Sequence, residues 1–402
     1  MPFEDLQPHA DADLYVSFAK YIESGSLFNG GSNLAIPQFS LIRTPGYPFF
    51  LYLVEKLFGQ NHIVFSQILL GAITIVISSF LLRLQILPIL SGLIFCIVLY
   101  CERLYAHFAI TEWLALNILL LFSTFIFRYC HSQNWKDLFC MSLLAGFSIL
   151  VRPALIITIF IPLYFIFANS VLAKVKKSFV VLSGIMPVLL WCFFNLIRVG
   201  SFNLTAFDGM SLFGVGTLVG SAEVKETDSE DLKSFITEIN YKKIPELGAE
   251  NFYIKNLKDH YQPAQYNHNL YRIGLSWATE NNVSTIRINE LMRIYAVRSI
   301  GDNLVNYLRF VSVGLYYLLS RWMILISALI LVLVSKKYFK QTSSSKALFI
   351  ILILHLAHCF LCSTTQILVL RYFNLSYYLL LSAVLISFIT TLSKMHLFRK
   401  TN

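Results

Sequence analysis

Apolar residues fall along this chain in long unbroken runs, not in the alternating or one-sided patterns of a water-soluble fold. The runs cover residues 63–82, 86–101, 107–127, 138–150, 154–168, 178–196, 310–334, 347–362 and 376–393. Most approach the roughly 20 residues a helix needs to cross a bilayer. The expectation is an all-α polytopic membrane protein with about nine hydrophobic helical segments, because only helices and closed barrels satisfy their backbone groups in lipid. The two runs on either side of Val151–Ala154 (VRPA) are individually short. They are expected to form either a pair of tilted spans or a helical hairpin broken at Pro153. A shorter run, Pro48–Phe58, would be only about 16 Å long as a helix, against roughly 30 Å of hydrocarbon. It is expected to lie in the membrane interface.

The polar stretches divide the chain into an outer first loop (1–62), N-terminal membrane helices (63–196), a second outer region (197–308) and C-terminal membrane helices (309–402). Within the first loop, Leu14, Phe18 and Ile22 recur at helical spacing, predicting a helix from about Asp13 to Ser24 that Gly25 ends. An NGGSN turn follows, then the segment RTPGYPFFLYLVEKLFG (Arg43–Gly59). The second region opens on GSFNLTAFDGMSLFGVG, read as turn-rich from its glycines, and later carries STIRINELMRIYAVRSI, an amphipathic helix with Ser284 as its cap. No internal repeat or low-complexity tract is present.

Charge orients these segments. Of 402 residues, 56% are hydrophobic and 13% charged, with mean hydropathy +0.65. With the first loop outside, the inner segments carry Arg83, Arg128, Lys136, Lys174, Lys176, Lys177, Lys336, Lys337, Lys340, Lys346, Lys394, Arg399 and Lys400 against Asp137, a net +12. Residues 1–62 hold three basic and six acidic residues, and 197–308 eleven and thirteen. The positive-inside rule is satisfied by this orientation alone. It also accounts for the net charge of +10 without a nucleic-acid partner, since basic loops face an anionic leaflet. The seven cysteines do not make a disulfide framework, because five fall in spans or on the inner side. His355, His358, Cys359 and Cys362 share a helical face, but one helix cannot wrap four ligands tetrahedrally around a metal. Packing and interhelical hydrogen bonding are expected there instead. The opening MPFEDLQPHADADLYVSF has neither the basic nor the apolar region of a leader.

Six segments in order carry a resemblance: DADLYVSFAKYI (Asp11–Ile22), RTPGYPFFLYLVEKLFG, AITEWLALNILLL (Ala109–Leu121), LLAGFSILVRPALI (Leu143–Ile156), NLIRVGSFNLTAFDG (Asn195–Gly209) and LRYFNLSYYLLL (Leu370–Leu381). Together they resemble the C-type polyprenyl-phosphate-sugar-dependent glycosyltransferases, which include protein O-mannosyltransferases and the bacterial aminoarabinose transferase of lipid A. The resemblance implies transfer of a sugar from a polyprenyl-phosphate donor to a hydroxyl-bearing acceptor, in the cytoplasmic membrane with the site on its outer face. It implies membrane lipids around the protein, and neither cofactor nor metal. It also implies a hydrophobic span ahead of the acidic segment, expected upstream of Met1 in the parent gene.

The chemistry needs one carboxylate to take the acceptor's proton, because the phosphate leaves as an anion without a general acid. It also needs cations to hold a phosphate whose charge grows in the transition state. Candidate carboxylates are Asp11, Asp13 and Glu112. The resemblance favours Asp11, four residues before Tyr15, whereas the bare pattern leaves either aspartate as a helix cap. Glu112 is a membrane carboxylate or, in the plainer reading, a surface partner of Arg103. The candidate donor-binding residues are Tyr15, Arg43, Tyr47, Arg152 and Arg371. Arg43 sits where the resemblance implies the lipid phosphate, though it can equally snorkel to head groups. Arg152 and Arg371 lie toward outer span ends and can each reach a phosphate or satisfy carbonyls freed at a break. The rival reading is a transporter or flippase of lipid-linked sugars, whose ionisable groups would gather near the midplane.

Overall fold

The computed structural model describes residues 12–27, 38–82, 110–169, 173–205, 208–242, 268–319 and 343–365, with positions 380, 383, 384 and 387. Every regular element among them is helical. The first loop supplies α1 (Ala12–Glu23), α2 (Gln38–Ile42) and α3 (Gly46–Phe58). The membrane bundle follows with α4 (Ile63–Leu81), α5 (Thr111–Ser132), α6 (Trp135–Val151), α7 (Phe160–Ala168) and α8 (Lys174–Val199). Next come α9 (Asp208–Val219), α10 (Glu230–Lys242), α11 (Ser276–Glu280), α12 (Thr285–Asp302), α13 (Leu304–Leu319) and α14 (Ser343–Thr365).

Four of the described helices are long and apolar enough to cross a membrane: α4, α5, α8 and the 346–364 portion of α14. The sequence pattern leads to about nine hydrophobic segments, and several reasons separate the two numbers. The runs 86–101 and most of 376–393 lie outside the described residues, as does 310–334 beyond Leu319. At Pro153 the helical path breaks between the two short runs. Arg152 is extended (φ −150°, ψ 109°), a tight 3₁₀ segment runs from Pro153 to Ile159, and α7 continues it. Proline cannot donate to Ile149 and excludes its predecessor from the helical region, so α6 must stop here. Ser148 and Thr158 hydroxyls meet at 3.1 Å across the break.

Side-chain contacts define two ends of the bundle. At one, Arg128 donates to Asp137 (2.9 Å) and to the Leu81 carbonyl (3.3 Å), while Asn169 donates to the Tyr129 hydroxyl (3.1 Å). Lys176 stands over Trp135 and Lys346 over Phe165. This end therefore gathers Arg128, Lys136, Lys174, Lys176, Lys177 and Lys346, the cations that the charge pattern assigns to one side. The other end holds the starts of α4 and α5, the ends of α6 and α8, and the first-loop helices. Between the ends, α6 and α8 touch backbone to backbone: a methyl on Gly146 would run into the Gly184 carbonyl. Ser142 donates to the Val180 carbonyl at 2.6 Å in the same seam. Small residues that let backbones approach are the usual membrane packing device.

The first-loop helices pack on this bundle. The helix α1 ends at Glu23, with Gly25 left-handed (φ 70°), where the apolar spacing stops. It buries Tyr15, Phe18, Ala19 and Ile22 against α3 and α8. The short amphipathic α3 buries Tyr47, Leu51 and Val54 and exposes Leu53, Leu57 and Phe58, as an interfacial helix does.

The described residues of the second polar region form a helical unit around Met210, Phe213, Phe235, Trp277, Leu291 and Tyr295. Ser284 caps α12 as expected, accepting from the Arg287 amide at 3.3 Å. The stretch read as turn-rich divides: Gly200 is left-handed (φ 71°) and residues 201–205 are non-helical, whereas Asp208–Val219 is the helix α9. Its glycines serve packing, not turning. A Cβ on Gly216 would lie 2.8 Å from the Ala296 Cα, and one on Gly209 would strike the Asn289 carbonyl. The two helices are locked by Asp208, which accepts from Asn289 (2.8 Å) and pairs with Arg293 (2.7 Å). Beside them Arg298 grips Asp228 with both terminal nitrogens at 2.6 Å.

Candidate functional site

Five of the candidate residues come together at the end of the bundle remote from the basic side. The break after Val151 leaves Arg152 at the head of the 3₁₀ segment, and the start of α5 places Thr111 and Glu112 opposite it. Arg152 Nη1 lies 2.8 Å from Glu112 Oε1, with both side chains less than a tenth exposed. Thr111 closes the triangle: its hydroxyl accepts from Arg152 Nη1 (3.2 Å) and donates to Glu112 Oε2 (3.2 Å). Arg103, the expected surface partner of Glu112, lies outside the described residues. The carboxylate of Glu112 instead meets a cation forty residues away in sequence. A buried ion pair survives desolvation only when its remaining donors and acceptors are also engaged, which Thr111 provides.

The Arg-x-Pro-Gly-Tyr-Pro turn docks on the same break. The Thr44 hydroxyl donates to the Val151 carbonyl (3.3 Å), and a Cβ on Gly46 would sit 2.8 Å from the Leu150 carbonyl carbon. Only glycine lets the turn approach so closely. Tyr47 is fully buried and donates to Gln67 Oε1 (3.0 Å), while the Ile110 amide donates back to its oxygen. Burial holds the Tyr47 hydroxyl well above its ordinary range, reinforced by Tyr15 and by the Glu112 charge. Tyr47 thus ties the turn to the start of α5. The Tyr15 ring meets Tyr47 edge-on at 5.4 Å and carries the Arg43 guanidinium at 5.2 Å from its centroid.

Of the remaining candidates, Asp13 is exposed on the first turn of α1, two residues before buried Tyr15 and so on the opposite face of the helix. Asp11 and Arg371 lie outside the described residues. The α14 face contributes no fourfold ligand set: the His355 ring is 3.7 Å from Cys359 Sγ and the His358 ring 3.6 Å from Cys362 Sγ, two separate i,i+4 contacts.

Two residues at this site were not singled out from the sequence. Gln67, fully buried in α4, accepts from Tyr47 on its side chain and from Trp113 Nε1 on its carbonyl (2.6 Å). The signal was available, since an amide in a membrane run needs a partner. Thr111 carried no such signal. Beside the turn lies an apolar cavity of about 510 Å³, lined among others by Gly46, Phe49, Leu114, Leu144, Pro187 and Trp191. Its size is that of a small-ligand pocket and its lining suits a hydrocarbon chain.

Compared with family models, with curated proteins and with solved structures, the chain gives no match.

Proposed function

We propose that this protein is an integral-membrane glycosyltransferase that moves a sugar from a polyprenyl-phosphate donor to a hydroxyl acceptor at the outer face of the cytoplasmic membrane. The observation that carries this reading is the docking of the Arg43 turn beside the Glu112–Arg152 pair, through Thr44 onto the end of α6 and through Tyr47 onto Gln67, which in turn holds Trp113 of α5. Cationic, aromatic and carboxylate groups thereby converge at the end opposite the basic side. Under the positive-inside rule that end faces outward. A transporter would place its ionisable groups near the midplane instead.

In this reading Arg43, held over Tyr15, takes the donor phosphate with charge-assisted hydrogen bonds. The prenyl chain lies in the apolar cavity next to the turn. Arg371 is assigned as a second cation for the phosphate. Glu112 and Arg152 hold each other, and the pair fixes the floor on which the turn rests. Asp11 takes the proton of the acceptor hydroxyl as its oxygen attacks the anomeric carbon. The bond from that carbon to the phosphate oxygen breaks, and the phosphate leaves with the electron pair. Attack from the face opposite the leaving group inverts the centre.

Mass spectrometry of cell-envelope glycolipids and glycoproteins, with and without the protein, tests the reading. A hexose, pentose or amino-sugar increment should disappear in its absence. Loss of the increment with the lipid-linked sugar trapped on the inner leaflet, and not on the outer one, would identify a flippase instead.

A further inference from the structure

One sequence signature, NLIRVGSFNLTAFDG, has no part in the chemistry above, yet its residues build a clamp. Arg198, one residue from the end of α8, donates from Nη2 to the Ser40 carbonyl (2.9 Å) and from Nη1 to the Ser40 hydroxyl (3.3 Å). Its Nη2 also reaches Asn195 Oδ1 (3.1 Å), and its guanidinium lies 5.7 Å from the ring centroids of Trp191 and Phe194. The partners are fixed in turn. Gly200 ends the helix in the left-handed region (φ 71°), and the returning chain accepts from Asn195 at the Asn203 carbonyl (2.8 Å) and from Trp191 at the Leu204 carbonyl (3.0 Å). Trp191 also packs against Phe18 of α1.

Ser40 lies three residues before Arg43 and is almost wholly buried. On the other side of Arg43, Thr44 is tied to the Val151 carbonyl. The backbone of Arg43 is therefore held between two anchors, one on α8 and one at the end of α6. A five-residue helix such as α2 has too few internal hydrogen bonds to hold that position by itself.

We infer that Arg198 is a positioning residue for Arg43: by forking onto Ser40 it sets the place from which Arg43 meets the donor phosphate. This inference rests on the proposed role of Arg43. A planar guanidinium suits the task because its two donors reach the carbonyl and hydroxyl of one residue while its face stacks on the aromatic rings, which an ammonium cannot reproduce.

The test is binding of a polyprenyl monophosphate to the purified full chain in detergent, measured by calorimetry for the parent, Arg43→Ala, Arg198→Gln, Arg198→Lys and the Arg43→Ala/Arg198→Gln double variant. Melting temperatures identify any variant that fails to fold, and Arg198→Lys then stands in for Arg198→Gln. Arg198→Gln should weaken binding about tenfold. Arg198→Lys should weaken it nearly as much despite keeping the charge. In the Arg43→Ala background the second substitution should change the affinity by less than about twofold, because groups acting through one contact are not additive. Full affinity in Arg198→Lys, or an equal loss with and without Arg43, would mean that Arg198 meets the phosphate by charge alone and would overturn the inference. Parent affinity in Arg198→Gln, with Arg43→Ala impaired, would overturn it while leaving the donor site intact. Parent affinity in Arg43→Ala would remove the donor site and the inference together.

Discussion

Glu112 and Arg152 form a buried ion pair at 2.8 Å that joins the start of one membrane helix to the break in the next. Neither charge has a comparable environment to retreat to. Removing one partner of such a pair destabilises a protein by about 3–5 kcal/mol, because it strands the other, whereas replacing both by apolar groups is often close to neutral. Glu112→Leu and Arg152→Met are each expected to lower the melting temperature in detergent more than the double variant does. A double variant less stable than both singles would show that the pair itself, and not the stranded charge, dominates.

Catalysis separates the two aspartates. Asp11→Asn keeps size and most hydrogen bonds but removes the proton acceptor, so transfer by the purified protein should fall by roughly two to four orders of magnitude with donor binding retained. Asp13→Asn should be mild, because Asn serves the start of a helix about as well as Asp. An Asp13→Asn variant that abolishes transfer while Asp11→Asn does not would move the base by two residues.

Gly46→Ala places a methyl 2.8 Å from the Leu150 carbonyl carbon and 2.9 Å from the Val151 side chain. Main-chain atoms there cannot step aside, so the turn must lift from α6. A loss of about 1–3 kcal/mol is expected, the range seen for overpacking. Donor affinity should fall with it, since Arg43 rides on the same turn. Thermal melts and phosphate-lipid binding on the same sample decide this; an unchanged melt with weaker binding would argue against the packing account.

Acid sensitivity should appear first in the second outer region. The paired hydrogen bonds from Arg298 hold the Asp228 carboxyl down at about 2, below the usual value near 4. A carboxyl depressed in the fold stabilises it above its unfolded value, and that contribution is lost as pH falls toward 2. In Arg298→Gln the largest cause of the depression is removed and the Lys225 amide and charge remain, so most of the pair's contribution is missing at neutral pH and less further loss accompanies acidification from pH 4 to 2. Hydrogen exchange along α12 between pH 5 and 2 should show parent and variant converging as pH falls. Parallel profiles would show that Asp228 is not the sensor.

Topology distinguishes the functional readings in intact cells. Lys225 and Lys233 in the outer unit should react with a membrane-impermeant amine reagent from outside, and Lys346 at the basic end should be protected. Protection of both sets would invert the site assignment.

Local features were legible in the sequence because they are set by neighbouring residues. Gly25 stops α1, Ser284 caps α12 and Pro153 breaks the helical path, each through its own backbone chemistry. The segregation of basic residues to one end also follows from position along the chain. Pairings across the bundle were not legible. Arg103 was the cation nearer to Glu112 in sequence, but the chain folds Arg152 against the start of α5. Gly209 and Gly216 resemble turn residues because a contact surface for another helix and a freely turning backbone call for the same missing side chain. Only the position of α12 tells them apart.

The backbone contact between Gly146 and Gly184 has a mechanical consequence. Arg152 lies six residues beyond the first glycine and Arg198 fourteen beyond the second, about 9 Å and 21 Å along their helices. With a glycine on each helix at the fulcrum and Ser142 bonded across the seam, α6 and α8 cannot slide past one another without lifting a carbonyl out of contact. The two anchors that bracket Arg43 therefore belong to one stiff frame. Thickening or thinning of the surrounding bilayer would tilt this frame as a unit, carrying the turn with it and leaving the spacing of its cations unchanged.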